Sequence, residues 1–433
     1  MPWRWHAPRE CPARWPPGTP LFGSFSGGPD IVNDANLNVH LSVPIREKNG
    51  LEPFYYVLTY DNSLWYPVGT TGSQAWQPVS GWGWRTLTPV VTGSITYNIT
   101  QKSCHDLLGD VFYYNQYSGF AYTDPSGVLH QAPSSVTIRD YSALGLNCHG
   151  GGSSGTASAL IQDDYGYTIS ASVNTSDSDG YDYYPWVTMY TRSGSTFVPA
   201  INSDNPNPPS PGITDTSSNS IQSSYSNGVT TFTDTLGKTA LTVSGTGTPS
   251  SPVTLAYTAA QNQPGTATVQ YAPYTVRTNF GCSGISEYGP YGTNLVSEID
   301  MPDIGANPGD KYTFTYEGTT GYSGDTTGRL ASVTLPTGGT INYSYSGGSN
   351  GITCADGSAA TLTRTTPDGA WTYAHTESGS AWTTTLTDPS TNVTTFNFQS
   401  VTPTGSTTAS AFETERQLPG MSRQSKKFLF LAK

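Results

Sequence analysis

Apolar and polar residues alternate with a period of two along most of this chain. Val39, Leu41 and Val43 alternate with His40 and Ser42 until Pro44 ends the run. After Asn49-Gly50 the alternation returns at Phe54, Tyr56, Leu58 and Tyr60, and stops at Asp61-Asn62. Successive side chains of a strand point to opposite faces, so these runs predict two half-buried strands joined by a hairpin turn. The same pattern recurs over 94–100, 111–114 and 136–140, with a glycine-rich break at 150–155. It resumes at residue 228 and persists to about residue 398. The fold class predicted is all-β, with antiparallel strands and hairpins forming an extended, repeat-built sheet.

Composition divides the chain around these runs. Residues 1–30 are rich in proline and glycine and read as a poorly ordered leader, and 31–200 form an N-terminal β region. Residues 201–218, which include Asn-Pro-Asn-Pro-Pro-Ser-Pro-Gly at 205–212, read as a linker or a long surface loop. A second β region spans 219–400. Residues 401–433 carry Arg416, Arg423, Lys426, Lys427 and Lys433 and read as a basic tail outside the repeat.

A repeat is visible in the second region. Gly237, Gly339, Gly369 and Asn392 are residue types that tolerate left-handed backbone, and each is followed at +4 by Leu241, Tyr343, Tyr373 or Phe396. At +6 stand Val243, Tyr345, His375 and Phe398, and at +2 Thr239, Ile341, Trp371 and Thr394. Positions +2, +4 and +6 share one strand face, so each turn opens a strand whose large side chains point the same way.

The clearest copy, residues 327–345, reads Thr-Gly-Arg-Leu-Ala-Ser-Val-Thr-Leu-Pro-Thr-Gly-Gly-Thr-Ile-Asn-Tyr-Ser-Tyr. It resembles the repeat unit of the bacterial Rhs/YD (Tyr-Asp) repeat family, roughly Gly-Arg-Leu-x-x-Val-x-x-Pro-x-Gly-x-x-x-x-Tyr-x-Tyr. Residues 363–375 and 386–398 resemble weaker copies, and 38–45 with 54–62 are similar to the segment that often precedes the repeats. Tyr345 is followed by Ser346, so the Tyr-Asp dipeptide itself is absent from the best copy. The resemblance implies an antiparallel sheet that spirals into a shell around a toxin or other cargo domain. Because such shells use far more residues than 433, it also implies that this chain is a piece of a longer protein or a truncated gene product. The family's self-cleaving Asp-Pro-x-Gly-Leu motif has a look-alike in Asp124-Pro-Ser-Gly-Val128, which reads as a turn far upstream of the expected place.

Composition narrows the function classes. Charged residues make up 12% of the chain, about half the usual share of roughly 25%. The formal charge of −12 argues against nucleic acid or an anionic membrane as the main partner. No apolar stretch is long enough for a transmembrane helix. Residues 1–20 hold Trp3, Trp5 and Trp15 among prolines and do not read as a signal peptide. Cys11, Cys104, Cys148, Cys282 and Cys354 include no CxxC pair. Disulfides Cys104–Cys148 and Cys282–Cys354 would fit an oxidising compartment, with free buried thiols as the alternative.

Candidate chemistry is sparse. No nucleophile elbow, phosphate loop or His-Glu-x-x-His occurs, and the six histidines are scattered. His375 falls at a repeat position where other copies carry an aromatic residue, so it reads as a wall side chain. The acidic run 177–182 beside Asp163-Asp164 offers oxygen ligands for calcium but lacks the full loop spacing, and otherwise reads as a solvated turn. Trp65, Trp76, Trp82 and Trp84 could stack on sugars or pack beneath a loop. No catalytic, cofactor-binding or metal-binding residue and no cofactor is therefore assigned. The expectation is a non-enzymatic scaffold segment, extracellular or in the cell envelope, with a cargo domain as partner. The alternatives are a secreted carbohydrate-binding or glycoside-hydrolase β protein, or an adhesin with a cell-surface protein or glycan as its ligand.

Overall fold

The computed structural model describes residues 23–25, 29–105, 109, 111–125, 129–139, 156–163, 165–175, 183–201, 212–259, 262–302, 310–401 and 410–419. Among them there is no α-helix, only strands and a single 3₁₀ turn at Ser80–Gly83. The all-β class is therefore correct. The largest sheet has nineteen strands, from Ala157–Leu160 to Ser410–Gln417, and nearly all its pairings are antiparallel.

What builds this sheet is a recurring turn. Among the described residues, five loops (191–195, 215–219, 234–238, 335–339 and 388–392) share one backbone pattern. The first residue's N–H donates to the fifth residue's carbonyl, and the fourth residue's N–H donates back to the first carbonyl. The fourth residue always has a positive φ: Gly194, Ser218, Gly237, Gly338 and Thr391. Such a loop, a turn closed by one left-handed residue, matches the twist of its flanking strands. Asp215, Asp234 and Asp388 reinforce it by accepting the N–H groups of the third and fifth residues at 2.8–3.0 Å. The predicted anchors were thus one place off at Gly339 and Asn392. Gly369 belongs to a different turn, a two-residue loop between paired Thr366 and Gly369.

The chain divides into two compact units, and the division does not follow the sequence-drawn boundaries. Among the described residues the first unit lies within 46–56 and 87–240. Its core lies between the long hairpin Ser94–His105/Val111–Thr123 and the strands Thr168–Thr175 and Tyr183–Tyr190, where Ile95, Phe120, Tyr122, Ile169, Val187 and Met189 are buried. The second lies within 23–45, 57–86 and 241–419. Here the segment before residue 86 packs on strands of the repeat region, because its aromatic side chains find their apolar partners there. Trp76 and Trp65 meet Phe280, and Trp84 meets Phe314.

Three expectations change in detail. Gly23–Phe25, inside what reads as a leader, is a strand paired to Asp30–Asn33, which begins at the leader's last residue. Gly212–Thr214 is a strand inside the expected linker, whose residues 202–211 lie outside the described ones. Ser410–Gln417 extends the sheet antiparallel to Val393–Val401, although the tail was expected to stand outside the pattern. Glu413, Glu415 and Arg416, standing where apolar residues would mark a strand, disguise its period.

Two long-range links tie the second unit together. Arg364 on strand Thr361–Thr366 donates from Nε and Nη2 to the two carboxylate oxygens of Asp30, at 2.6 and 2.7 Å. The side chains are 1% and 0% exposed. Tyr343 donates its hydroxyl to the same carboxylate at 2.8 Å. Burial and the adjacent carboxylate push its phenol well above the ordinary tyrosine range, which keeps the donor proton in place. The second link is the disulfide Cys282–Cys354, as anticipated, closing 72 residues of chain. The Cys104–Cys148 pairing lies outside the described residues.

Arg364→Met leaves the Asp30 carboxylate buried without its counter-charge and should cost about 3–5 kcal/mol in urea unfolding. Replacing both partners, Asp30→Leu with Arg364→Met, should recover much of that loss. Cys354→Ser should lower stability by about 4 kcal/mol, the loop-closure value for a cross-link of this span.

Candidate functional site

The repeat unit at 327–345 shows what each conserved-looking letter of its motif does. Opposite Glu317 the strand Asp325–Thr334 bulges, since Tyr316 pairs with Leu330 whereas Gly318 pairs with Thr326. The bulge takes backbone groups of 327–330 off the ladder, and such groups need partners when buried. Trp65 Nε1 donates to the Thr327 carbonyl at 2.9 Å. The Tyr60 hydroxyl donates to the Gly328 carbonyl and accepts from the Leu330 N–H. Gly328 has φ 83°, so a glycine is required at this point of the bulge.

Arg329 then turns back to Glu317, donating from Nε at 2.7 Å and from Nη2 at 2.9 Å. Its third nitrogen donates to the Gly351 carbonyl, and its plane lies 4.0 Å from the centre of the Tyr345 ring. Tyr345 in turn donates to the Leu330 carbonyl at 2.9 Å. Glycine, arginine and the final tyrosine of the unit are thus one cation–π and hydrogen-bonded knot. At the +4 position Leu241, Tyr343, Tyr373 and Phe396 are all buried.

The other predicted residues are dispersed. Trp65 and Trp76 are 2% and 0% exposed. Trp82 and Trp84 are half-buried, with Trp82 against Trp65 and Tyr288 and Trp84 against Tyr60. The four tryptophans therefore pack as core rather than as an open stacking platform. His375 lies against Trp382 within the sheet, its Nε2 3.5 Å from Glu377. The acidic run 177–182 lies outside the described residues. Among the described residues no three His, Cys, Asp or Glu side chains are grouped to hold a metal. Asp124 is buried, and the rest of its look-alike cleavage motif beyond Pro125 lies outside the described residues.

Two histidine–carboxylate clusters escaped the sequence reading. In the first unit His130 is fully buried, with Nδ1 2.5 Å from Asp163 and Nε2 3.4 Å from Asp124. Tyr122 stacks on the ring, and Tyr165 and Tyr167 meet its edge. Burial pulls the imidazole pKa down, but the two carboxylates outweigh it and hold the pKa above the ordinary histidine value.

In the second unit His40, Ser42 and Asp61 form a line. His40 and Ser42 share one face of strand Val39–Lys48, and Asp61 ends the neighbouring strand Phe54–Asp61. His40 Nδ1 is 3.0 Å from Asp61 Oδ1, and Nε2 is 3.2 Å from Ser42 Oγ. In the tautomer that donates from Nδ1 to Asp61, Nε2 presents its lone pair to the serine hydroxyl. Asn38 Nδ2 also donates to Asp61 Oδ1, at 2.6 Å, and the Asp61 side chain is 4% exposed. A sequence signal existed in the His-x-Ser spacing, but its third member is set by strand register.

The raised pKa of His130 gives a pH test. The stabilisation from its charged form is complete below the unfolded histidine value of about 6.5. It is lost as pH rises through the higher folded value. The melting temperature of the protein should therefore fall as pH rises above neutrality, and His130→Gln should flatten that slope. No protein-family model matches this chain, and no curated protein matches it.

Proposed function

We propose that this chain is a structural β-repeat segment of an Rhs-like bacterial surface or secreted protein, forming part of a wall or scaffold for a toxin or other cargo. The observation that carries this reading is the Arg329–Glu317–Tyr345 knot. It supplies a physical reason for the Gly-Arg-Leu…Tyr-x-Tyr unit, whose arginine and final tyrosine serve strand-to-strand cohesion. Five superimposable turns supply the rest of a wall: a cheap, repeatable way to add antiparallel strands. The disulfide Cys282–Cys354 and the low charge support an oxidising, extracytoplasmic setting. The packing of Trp65, Trp76, Trp82 and Trp84 among other rings weighs against the carbohydrate-binding alternative.

Sequencing the genomic DNA on both sides of the reading frame tests this directly. In-frame continuation with further Gly-Arg-Leu…Tyr-x-Tyr units, followed by an unrelated domain, is the expected result. Flanks that encode no such unit, together with polysaccharide binding on a glycan array that Trp82→Ala or Trp84→Ala abolishes, would overturn it in favour of the carbohydrate reading.

A further inference from the structure

The Ser42–His40–Asp61 line lies apart from the Arg329 knot and the recurring turns, and its geometry is that of an activated nucleophile. A hydroxyl is a weak nucleophile until an adjacent base accepts its proton, and the base works only when a third group fixes its tautomer and orientation. All three conditions are met here. Ser42 Oγ lies 3.2 Å from His40 Nε2, and Asp61 holds the opposite nitrogen at 3.0 Å. Asp61 is itself held, by Asn38 Nδ2 at 2.6 Å and with Arg85 Nη2 3.9 Å away. Asn38 in turn accepts the Ser63 N–H through its side-chain oxygen, so the orienting end of the line is rigid. The reacting end is open: Ser42 is only partly buried, and the next residue on the same face, Pro44, is exposed.

One feature of acyl-transfer enzymes is missing at this serine. Its own N–H donates to the Pro29 carbonyl at 3.0 Å, as a ladder bond, and so is not free to stabilise an oxyanion. Acyl donors that need such help, amides and ordinary esters, should not react. Donors that carry their own activation should, and the covalent product should persist because its hydrolysis needs the same missing help.

We infer that Ser42 is a covalent acyl-acceptor site, taking one acyl group from an activated ester or thioester and retaining it, with His40 as general base and Asp61 as positioning residue. In the step, the Ser42 Oγ–carbonyl carbon bond forms as the proton passes to His40 Nε2. The bond from that carbon to the aryl-oxygen or thiol-sulfur leaving group breaks. The departing oxygen or sulfur takes the electron pair, and the proton returns from His40 to it or to solvent. No oxidant or metal is involved. The inference is independent of the scaffold reading, since a wall segment and an acceptor site are carried by different residues.

The test is p-nitrophenyl acetate with the whole protein, followed by peptide mass spectrometry. The expected result is a burst of p-nitrophenolate that stops near one equivalent per chain, with the acetyl group on Ser42. His40→Ala should slow the acetylation by about a hundredfold, the scale of a lost general base. Added imidazole should restore part of it, which a merely structural histidine would not allow. Asp61→Asn should lower the rate and displace its pH profile. Wild-type protein alone can overturn the inference, whether or not the variants fold. Absence of acetyl on Ser42, or the same occupancy there in folded protein and in urea-unfolded chain, means the serine is not activated by the fold.

Discussion

The second unit depends on one buried ion pair. Asp30 and Arg364 are 334 positions apart and essentially without solvent, joined through both carboxylate oxygens. Removing two charges from water costs several kcal/mol per ion, so such a pair is weak as a source of net stability. Its force is in what it forbids. Strand Thr361–Thr366 is threonine at four of six positions, and Ala381–Thr387, two strands further along the sheet, at four of seven. A slip of two residues in such strands keeps the same side-chain types on each face and changes little in local energy. It would, however, carry Arg364 away from Asp30 and leave both charges buried alone. The ion pair therefore discriminates among registers that the pleat itself leaves nearly degenerate.

The same economy runs through the rest of the unit. Only 12% of residues are charged, yet Arg329 and Arg364, two of the chain's 19 basic groups, are spent in the interior. Each sits where a long side chain with a planar fork can satisfy several acceptors at once and also cover an aromatic ring, Tyr345 for one and Trp371 for the other. A lysine could not make the paired contacts to Glu317 or Asp30. The surface is left to hydroxyls and amides, and the sheet edges to short loops whose aspartates complete their own hydrogen bonding.

What could be read from the sequence follows from the range of each interaction. Period-2 alternation is local, so the strands around Val39–Lys48 and Phe54–Asp61 were legible without any partner. The turns were legible in kind but displaced in place. Gly339 and Asn392 draw the eye as turn residues, whereas the left-handed positions are Gly338 and Thr391, and threonine gives no hint of that conformation. The strand Ser410–Gln417 was hidden because Glu413, Glu415 and Arg416 replace the apolar face by which strands are recognised. The Cys282–Cys354 link was among the expected pairings, but nothing local marks Asp30 as the partner of Arg364. The candidate site was half visible: His40 and Ser42 share a face by spacing alone, while Asp61 joins them only through the register of two strands.

That register leads back to the ion pair. Asp30 is opposite Leu41 in the ladder between Asp30–Asn33 and Val39–Lys48, and the preceding residue, Pro29, accepts the Ser42 N–H. The charge that locks Asp30 to the repeat sheet therefore also fixes the strand carrying His40 and Ser42, one residue to either side of Leu41. On the far side of that strand Asn62 accepts the Val39 N–H through Oδ1 and donates from Nδ2 to the Tyr345 hydroxyl, a member of the Arg329 knot. The two structural knots of the repeat region thus grip the same short strand from both sides. A hydrogen-bonded line tolerates errors of only a few tenths of an ångström, and a surface strand on its own would not hold that tolerance. The surrounding sheet, held by these two knots, supplies it.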